Sequence, residues 1–260
     1  LDYFEQLEAL SEQQGGYFYP WRSALGDANG EDAYTRLVER HLSPAKVVLD
    51  AGCGHGSDML AFAPKVRRFI GYDAVESFIA IARRRAAENG LANVELVRAN
   101  SSPRHNGGVA RMPAADHALD LIISRRGPLN WIADARRACR SGARLIELNP
   151  LPAPAPAWNA ELPQPLRVAQ NPANPGRPEL VAEVEAALAA AGLRLEEGQV
   201  FDAPEVFSEP QDLYRYLTFL RFEPGAPSWD TARAPLERLF ARHGPIEARQ
   251  RRFLWTAVVD

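Results

Sequence analysis

Five residues, Lys46-Val-Val-Leu-Asp50, make a short β-branched run that is stopped by glycines at alternate positions, Gly52, Gly54 and Gly56. A strand that ends this way and gives on to a helix leaves bare backbone within reach of a nucleotide-type ligand, because glycine has no Cβ to hold it off. The pattern alone also describes a tight turn, so its surroundings decide. Upstream, Ala33, Leu37 and Leu42 lie at helical spacing. Downstream, strands are expected at residues 66–72, 94–97, 118–123 and 143–148, with helices at 57–63, 75–89 and 128–140 between them. Such alternation builds βαβ units, which force parallel strands joined by right-handed crossovers. The fold class is α/β.

The second expected strand closes on Gly71-Tyr72-Asp73, about twenty residues beyond the glycine loop. An acid there is suited to accept hydrogen bonds from both hydroxyls of an adenosine ribose. The same aspartate is also placed to cap the helix beginning near Val75.

Four segments follow from composition along the chain. Residues 1–30 mix aromatics with turn glycines and read as a cap. Residues 31–149 form the cofactor-binding core. Residues 150–178 are rich in proline, which rules out a continuous helix, and read as a docked lid or a linker. Residues 179–260 complete the same domain, with helices at 179–191, 210–222 and 231–243 and strands at 193–201 and 252–259.

A chain of 260 residues, 46% hydrophobic, can bury one α/β core. Its net charge of -3 gives no global attraction to nucleic acid or anionic lipid. Two cysteines cannot supply a four-thiolate zinc site, and no metal is expected. Nothing ahead of the core reads as a secretory leader, so a cytoplasmic location is expected. No apolar run reaches the roughly 18 residues of a membrane span.

The stretch Val47-Val-Leu-Asp-Ala-Gly-Cys-Gly-His-Gly56 resembles the first motif of class I S-adenosylmethionine-dependent methyltransferases. Gly71-Tyr72-Asp73 followed by Ser77 to Arg83 is similar to the family's second motif. Met112-Pro113 leading to Leu119-Asp-Leu-Ile-Ile-Ser124 resembles the fourth-strand motif, Gly142 to Glu147 the fifth, and Ala189 to Leu193 the turn before the sixth. The resemblance implies a Rossmann-like three-layer α/β/α sandwich with a seven-stranded, mostly parallel sheet, its last strand antiparallel and beside the fifth. It implies S-adenosylmethionine as cofactor. Asp50, Ala51, Gly52 and Gly54 would flank the methionine part, Asp73 with Ala74 the ribose, and Asn100 with Ser101 the adenine, while Ser124 would lie beneath the methionine end. The chain departs from the family where Asn100 replaces a common aspartate and where residues 102–111 form a longer loop. After strand four it carries Ser124-Arg-Arg-Gly-Pro128 and not the Asn-Pro-Pro-Tyr of enzymes that methylate amino groups of DNA bases. A nicotinamide fingerprint would need a third glycine at Ser57, which argues against an oxidoreductase.

Methyl transfer from a sulfonium is an in-line displacement that needs alignment and exclusion of water more than covalent help. Ligands of open α/β sheets sit over the carboxyl ends of strands, here residues 51–56 and 124–131. Arg125 and Arg126 are candidates to clamp a carboxylate or phosphate of the acceptor, the alternative being ion pairs with nearby acids. His55 is the candidate general base, against a role in capping, and His105 a weaker one. Asn130 and Trp131 either wall the pocket or, for Trp131, join the core. Tyr17, Tyr19 and Trp21 either close over the site or pack a terminal segment onto the sheet. The expected function is methylation of a small or medium-sized acceptor. The alternatives are an RNA methyltransferase of the same fold and a non-catalytic binder of the cofactor.

Overall fold

The computed structural model describes residues 3–167, 180–219 and 226–260. Among them are the strands β1 (Ala24–Leu25), β2 (Val47–Ala51), β3 (Arg68–Asp73), β4 (Val94–Arg98), β5 (Leu119–Arg125), β6 (Cys139–Leu151), β7 (Arg194–Phe207) and β8 (Ile246–Val258). The helices are α1 (Tyr3–Gln14), α2 (Glu31–Arg40), α3 (Ser57–Phe62), α4 (Glu76–Glu88), α5 (Ala135–Ala138), α6 (Leu180–Ala190), α7 (Pro210–Thr218) and α8 (Trp229–His243).

All eight strands join one sheet in the order β1-β7-β8-β6-β5-β2-β3-β4. Strands β2 to β6 run parallel, and β8 is inserted antiparallel between β6 and β7. The last strand therefore lies beside the fifth core strand, as the family resemblance implies. The sheet has eight strands and not seven, because Ala24 and Leu25 of the cap add a two-residue strand along Val206 and Glu205 of β7.

Strand β2 is buried along its whole length, which is why it reads as an unbroken apolar run and not as an alternating one. Its alternate residues serve two cores. Val47, Leu49 and Ala51 join Ile122, Leu145 and Trp255 under α5 and α6. Val48 joins Leu121, Ile146 and Leu254 against Tyr34 and Val38 of α2 and Met59 and Phe62 of α3. Each fully buried Leu, Ile or Val contributes about 1.5–3 kcal/mol, so the two faces clamp the sheet into three layers.

Three expected boundaries are corrected. The helix expected at 128–140 is a 3-10 turn, Asn130–Asp134, followed by the four residues of α5, because β6 already begins at Cys139. Strands β7 and β8 are far longer than expected and pair from Arg194↔Val258 to Phe207↔Ile246. Polar Glu247, Arg249, Gln250 and Arg251 hide the beginning of β8 from a hydrophobicity reading. The cap holds a full helix, α1, whose Glu8 carboxylate accepts the Ser77 N–H at the start of α4.

The long β7–β8 ribbon overhangs the carboxyl end of β6, which stops at Leu151 opposite Arg251. A third core gathers on the overhang: Phe207 and Ile246 of the ribbon, Leu213 of α7 and Leu236 of α8, with Trp158 and Leu162 of the proline-rich segment. The Trp158 indole N–H donates to the Glu247 carbonyl at 2.7 Å. Residues 168–178 of that segment lie outside the described residues. Among the described residues no helix is long and apolar enough to cross a membrane.

Candidate active site

Gly52, Gly54 and Gly56 all have positive φ, +75°, +52° and +83°, a region that glycine enters at little steric cost. The loop is fixed to the neighbouring strand because the N–H groups of Gly52 and Cys53 both donate to the Tyr72 carbonyl, at 3.0 and 2.9 Å. Asp73 completes the attachment. One carboxylate oxygen accepts the Gly54 N–H and the other the Val75 N–H, each at 3.0 Å. The carboxylate thus faces the glycine loop, and it organises the entry to α4 as well. A Cβ built on Gly54 would meet nothing within 4 Å, so the loop borders open space.

Three acids surround this loop. Asp50 is 2% exposed, and among the described residues nothing donates a hydrogen bond to its carboxylate. Burial, with the nearby Asp58 and Asp73, pushes its pKa well above the ordinary carboxylate value, while Arg125 pulls it down. Burial raises Asp73 too, against the N–H groups of Val75, Gly54 and Ala74 that favour its charge. A ligand carrying positive charge relieves both groups. Bare glycine backbone, open space at Gly54 and two underneutralised carboxylates fit a sulfonium that also bears an ammonium and a ribose.

The floor of the crevice is tightly built. The Ser124 hydroxyl donates to the Ala51 carbonyl at 2.8 Å. Directly above, a Cβ on Gly127 would lie 2.5 Å from that carbonyl oxygen and would also collide with the Ser124 hydroxyl. Beyond the ends of β3 and β4, Tyr72 donates its phenol to Ser101 at 2.9 Å, and Ser101 donates to the Asn130 side-chain oxygen at 2.8 Å. Asn100 is turned onto its own loop, where its side-chain oxygen accepts the Ser102 N–H.

The structure separates the remaining candidates. His55 Nδ1 accepts the Tyr17 N–H at 3.2 Å, which places the imidazole proton on Nε2, 3.2 Å from the Ser57 hydroxyl. Burial, Arg85 and Arg126 lower its pKa to about 4. His55 ties the cap to the glycine loop, and its two engaged nitrogens and low basicity suit that role better than that of a general base. Arg125 forks onto the Asp58 carboxylate, donates to Glu31 at 2.9 Å and lies 4.8 Å above the Tyr34 ring. It is an ion-pair residue on the α2 side of the sheet, not an acceptor clamp. Trp131 is fully buried and stacks on Trp255 at 6.0 Å, so it belongs to the core and walls no pocket.

Arg126 stands apart. Its guanidinium donates to the Tyr19 hydroxyl at 2.9 Å and lies 5.5 Å from that ring's centre. Tyr19 stacks on Trp21 at 4.6 Å, and both meet Phe219 edge-on just beyond α7. Tyr17 packs edge-on against Phe78 of α4. The aromatic cap therefore reaches from the glycine loop to the β7–β8 overhang. Glu205 anchors its far end: one oxygen accepts the Trp21 indole N–H at 3.0 Å and the Ser23 hydroxyl at 2.8 Å. The overhang's contributions, Glu205, Tyr216 and Phe219, were not expected from the sequence, since nothing local to them signals a site.

Comparison with known proteins agrees with this geometry. Residues 48–147 match the methyltransferase-domain family. An uncharacterized methyltransferase of Bacillus subtilis, YcgJ, is 31% identical over 120 residues, 46% of this chain and 44% of that protein. The chain thus spans less than half of this curated relative. A protein of unknown function from Deinococcus radiodurans superposes over 98% of this chain and 100% of its own, with 23% identity and a TM-score of 0.65. Geranyl diphosphate C-methyltransferase from Streptomyces coelicolor A3(2), solved with Mg2+, geranyl diphosphate and S-adenosyl-L-homocysteine, superposes over 100% and 98%, with 16% identity and a TM-score of 0.58. The structural likenesses establish the fold.

Proposed function

We propose that this chain, which carries a methyltransferase domain at residues 48–147, transfers a methyl group from S-adenosylmethionine to a small or medium-sized acceptor. The observation that carries the reading is the pairing of an open glycine loop with two buried acids, Asp50 beneath it and Asp73 hydrogen-bonded to its Gly54 N–H. When bound, the cofactor supplies an electrophilic methyl carbon on a sulfonium.

The chain's own residues bind, orient and keep out water. Asp73 retains lone pairs for ribose hydroxyls after accepting its two backbone N–H groups, with Ala74 beside it. Asp50 offsets positive charge at the methionine end, flanked by Ala51 and Gly52, and Gly54 allows close approach. Ser124 holds the Ala51 carbonyl and so fixes the floor on which reacting atoms align. Ser101, held by Tyr72 and Asn130, borders the adenine side, with Asn100 next to it. Tyr17, Tyr19 and Trp21 cover the acceptor side and exclude water. Both cysteines are buried free thiols, which suits a reducing cytoplasm.

RNA as the acceptor is disfavoured by the net charge of -3 and by the pairing of Arg125, Arg249 and Arg252 with acids of this chain. Titration calorimetry with S-adenosylmethionine and S-adenosylhomocysteine tests the proposal. Binding of both is expected, with Asp73→Ala at least tenfold weaker. If neither compound binds the wild-type protein, the proposal fails.

A further inference from the structure

Several arginines on the acceptor side of the sheet meet a carboxylate. Arg125 pairs with Asp58 and Glu31, Arg252 with Glu31 at 2.6 Å, and Arg249 and Arg251 with Asp202. Arg126 does not. Among the described residues no carboxylate lies within ion-pair distance of it, and its hydrogen-bond partner is the neutral phenol of Tyr19. A guanidinium left without an anion at the mouth of a crevice is a ready anion site, since its planar fork matches carboxylate and phosphate oxygens two at a time.

The backbone holds this side chain in place by a conformation that side chains rarely adopt. Arg126 has φ +66°, which is uncommon for any residue but glycine, and its N–H is tied to the Leu148 carbonyl at 2.8 Å. Such outliers persist where surrounding structure over-determines them, and they concentrate at functional sites. The next residue, Gly127, is the one packed against the Ala51 carbonyl and Ser124. Arg126 is therefore one residue from the floor of the methyl-transfer crevice and projects towards the cap. The surfaces available beside it are the rings of Tyr19, Trp21 and Phe219.

We infer that Arg126 determines acceptor specificity by taking an anionic group, carboxylate or phosphate, of an acceptor whose flat or apolar body lies against Tyr19, Trp21 and Phe219. This rests on the methyltransferase reading and deepens it by naming the acceptor's chemical class. In the absence of acceptor the Tyr19 hydroxyl occupies part of the guanidinium fork; an incoming anion displaces it.

Three one-ring probes test the inference by calorimetry on protein saturated with S-adenosylhomocysteine: benzoate, phenyl phosphate and neutral benzyl alcohol. At least one acid is expected to bind tenfold or more tightly than the alcohol. Benzoate alone identifies a carboxylate acceptor, phenyl phosphate alone a phosphorylated one. Arg126→Gln should abolish the preference and Arg126→Lys should keep part of it, since charge remains and the fork is lost. Equal binding of acids and alcohol, no binding of either acid, or a preference that survives in Arg126→Gln would each overturn the inference. Should Arg126→Gln fail to fold, the wild-type preference and the lysine variant still decide. The cofactor titration precedes the probes in the same cell, so loss of the methyltransferase reading shows as absent S-adenosylhomocysteine binding. The charge preference can then be read on the protein alone.

Discussion

The main-chain N–H of Tyr17 donates to Nδ1 of His55 across 3.2 Å, joining the amino-terminal cap to the glycine loop 38 positions later. The bond exists only while the imidazole is neutral at Nδ1. The folded pKa of about 4 lies below the ordinary histidine value, so the stability that rests on the neutral ring is full above about pH 6.5. Between there and pH 4 the unfolded chain takes up the proton more readily than the folded one, and stability falls as pH falls. Nitrogen-15 spectra should show an Nε2-protonated ring down to about pH 4, with exchange of the Tyr17 amide quickening as that value is approached. A ring that titrates near 6.5 would contradict the assignment.

Gly54→Ala and Gly127→Ala should separate binding from folding. Alanine at 54 meets open space and costs only the strain of a positive φ, about 1–2 kcal/mol, but its methyl occupies the face offered to the cofactor. Alanine at 127 drives a methyl into the Ala51 carbonyl and the Ser124 hydroxyl, an overpacking that costs about 3 kcal/mol. Thermal melts and cofactor titrations on the two variants should therefore rank them in opposite orders.

Arg125→Leu removes the cation that pairs with Asp58, a carboxylate only 5% exposed. Stranding a buried charge costs about 3–5 kcal/mol, so a marked drop in the urea midpoint is expected. The double variant Arg125→Leu, Asp58→Asn should recover part of it. If Arg125 were instead the acceptor clamp, turnover would fall with the urea midpoint unchanged.

The two stacked indoles at the core should respond unequally to loss of their N–H. The Trp255 N–H donates to the Asn149 side chain at 2.8 Å, and Asn149 in turn donates to buried Glu147. The Trp131 N–H is buried and has no acceptor among the described residues. Trp255→Phe leaves a buried acceptor unpaired and should cost about 1–3 kcal/mol more than Trp131→Phe, measured by denaturant unfolding.

The proposed cofactor half of the site can be read from the sequence because the chemistry it implies is local. A buried parallel strand must be apolar, a loop that meets a ligand must be glycine, and a ribose partner must end the next strand. All three show in consecutive residues, from Val47 to Gly56 and from Gly71 to Asp73. The acceptor half was not legible. Whether Arg125 or Arg126 is free depends on acids at positions 31 and 58, and the fate of Trp131 depends on Trp255. The early part of β8 escaped notice because its alternation is interrupted by arginines and a glutamine whose partners, Asp202 and Glu205, lie on another strand. Pairing of that kind leaves no periodic trace.

The β7–β8 ribbon leaves and re-enters the domain through strands bonded to each other from Arg194↔Val258 to Phe207↔Ile246. What hangs from its tip meets the glycine loop, which is built wholly from the first half of the chain, through the aromatic cap that Glu205 and Phe219 support. Recombining residues 202–251 among related proteins would therefore remodel the far support of the cap while Arg126 and the glycine loop keep their own sequence.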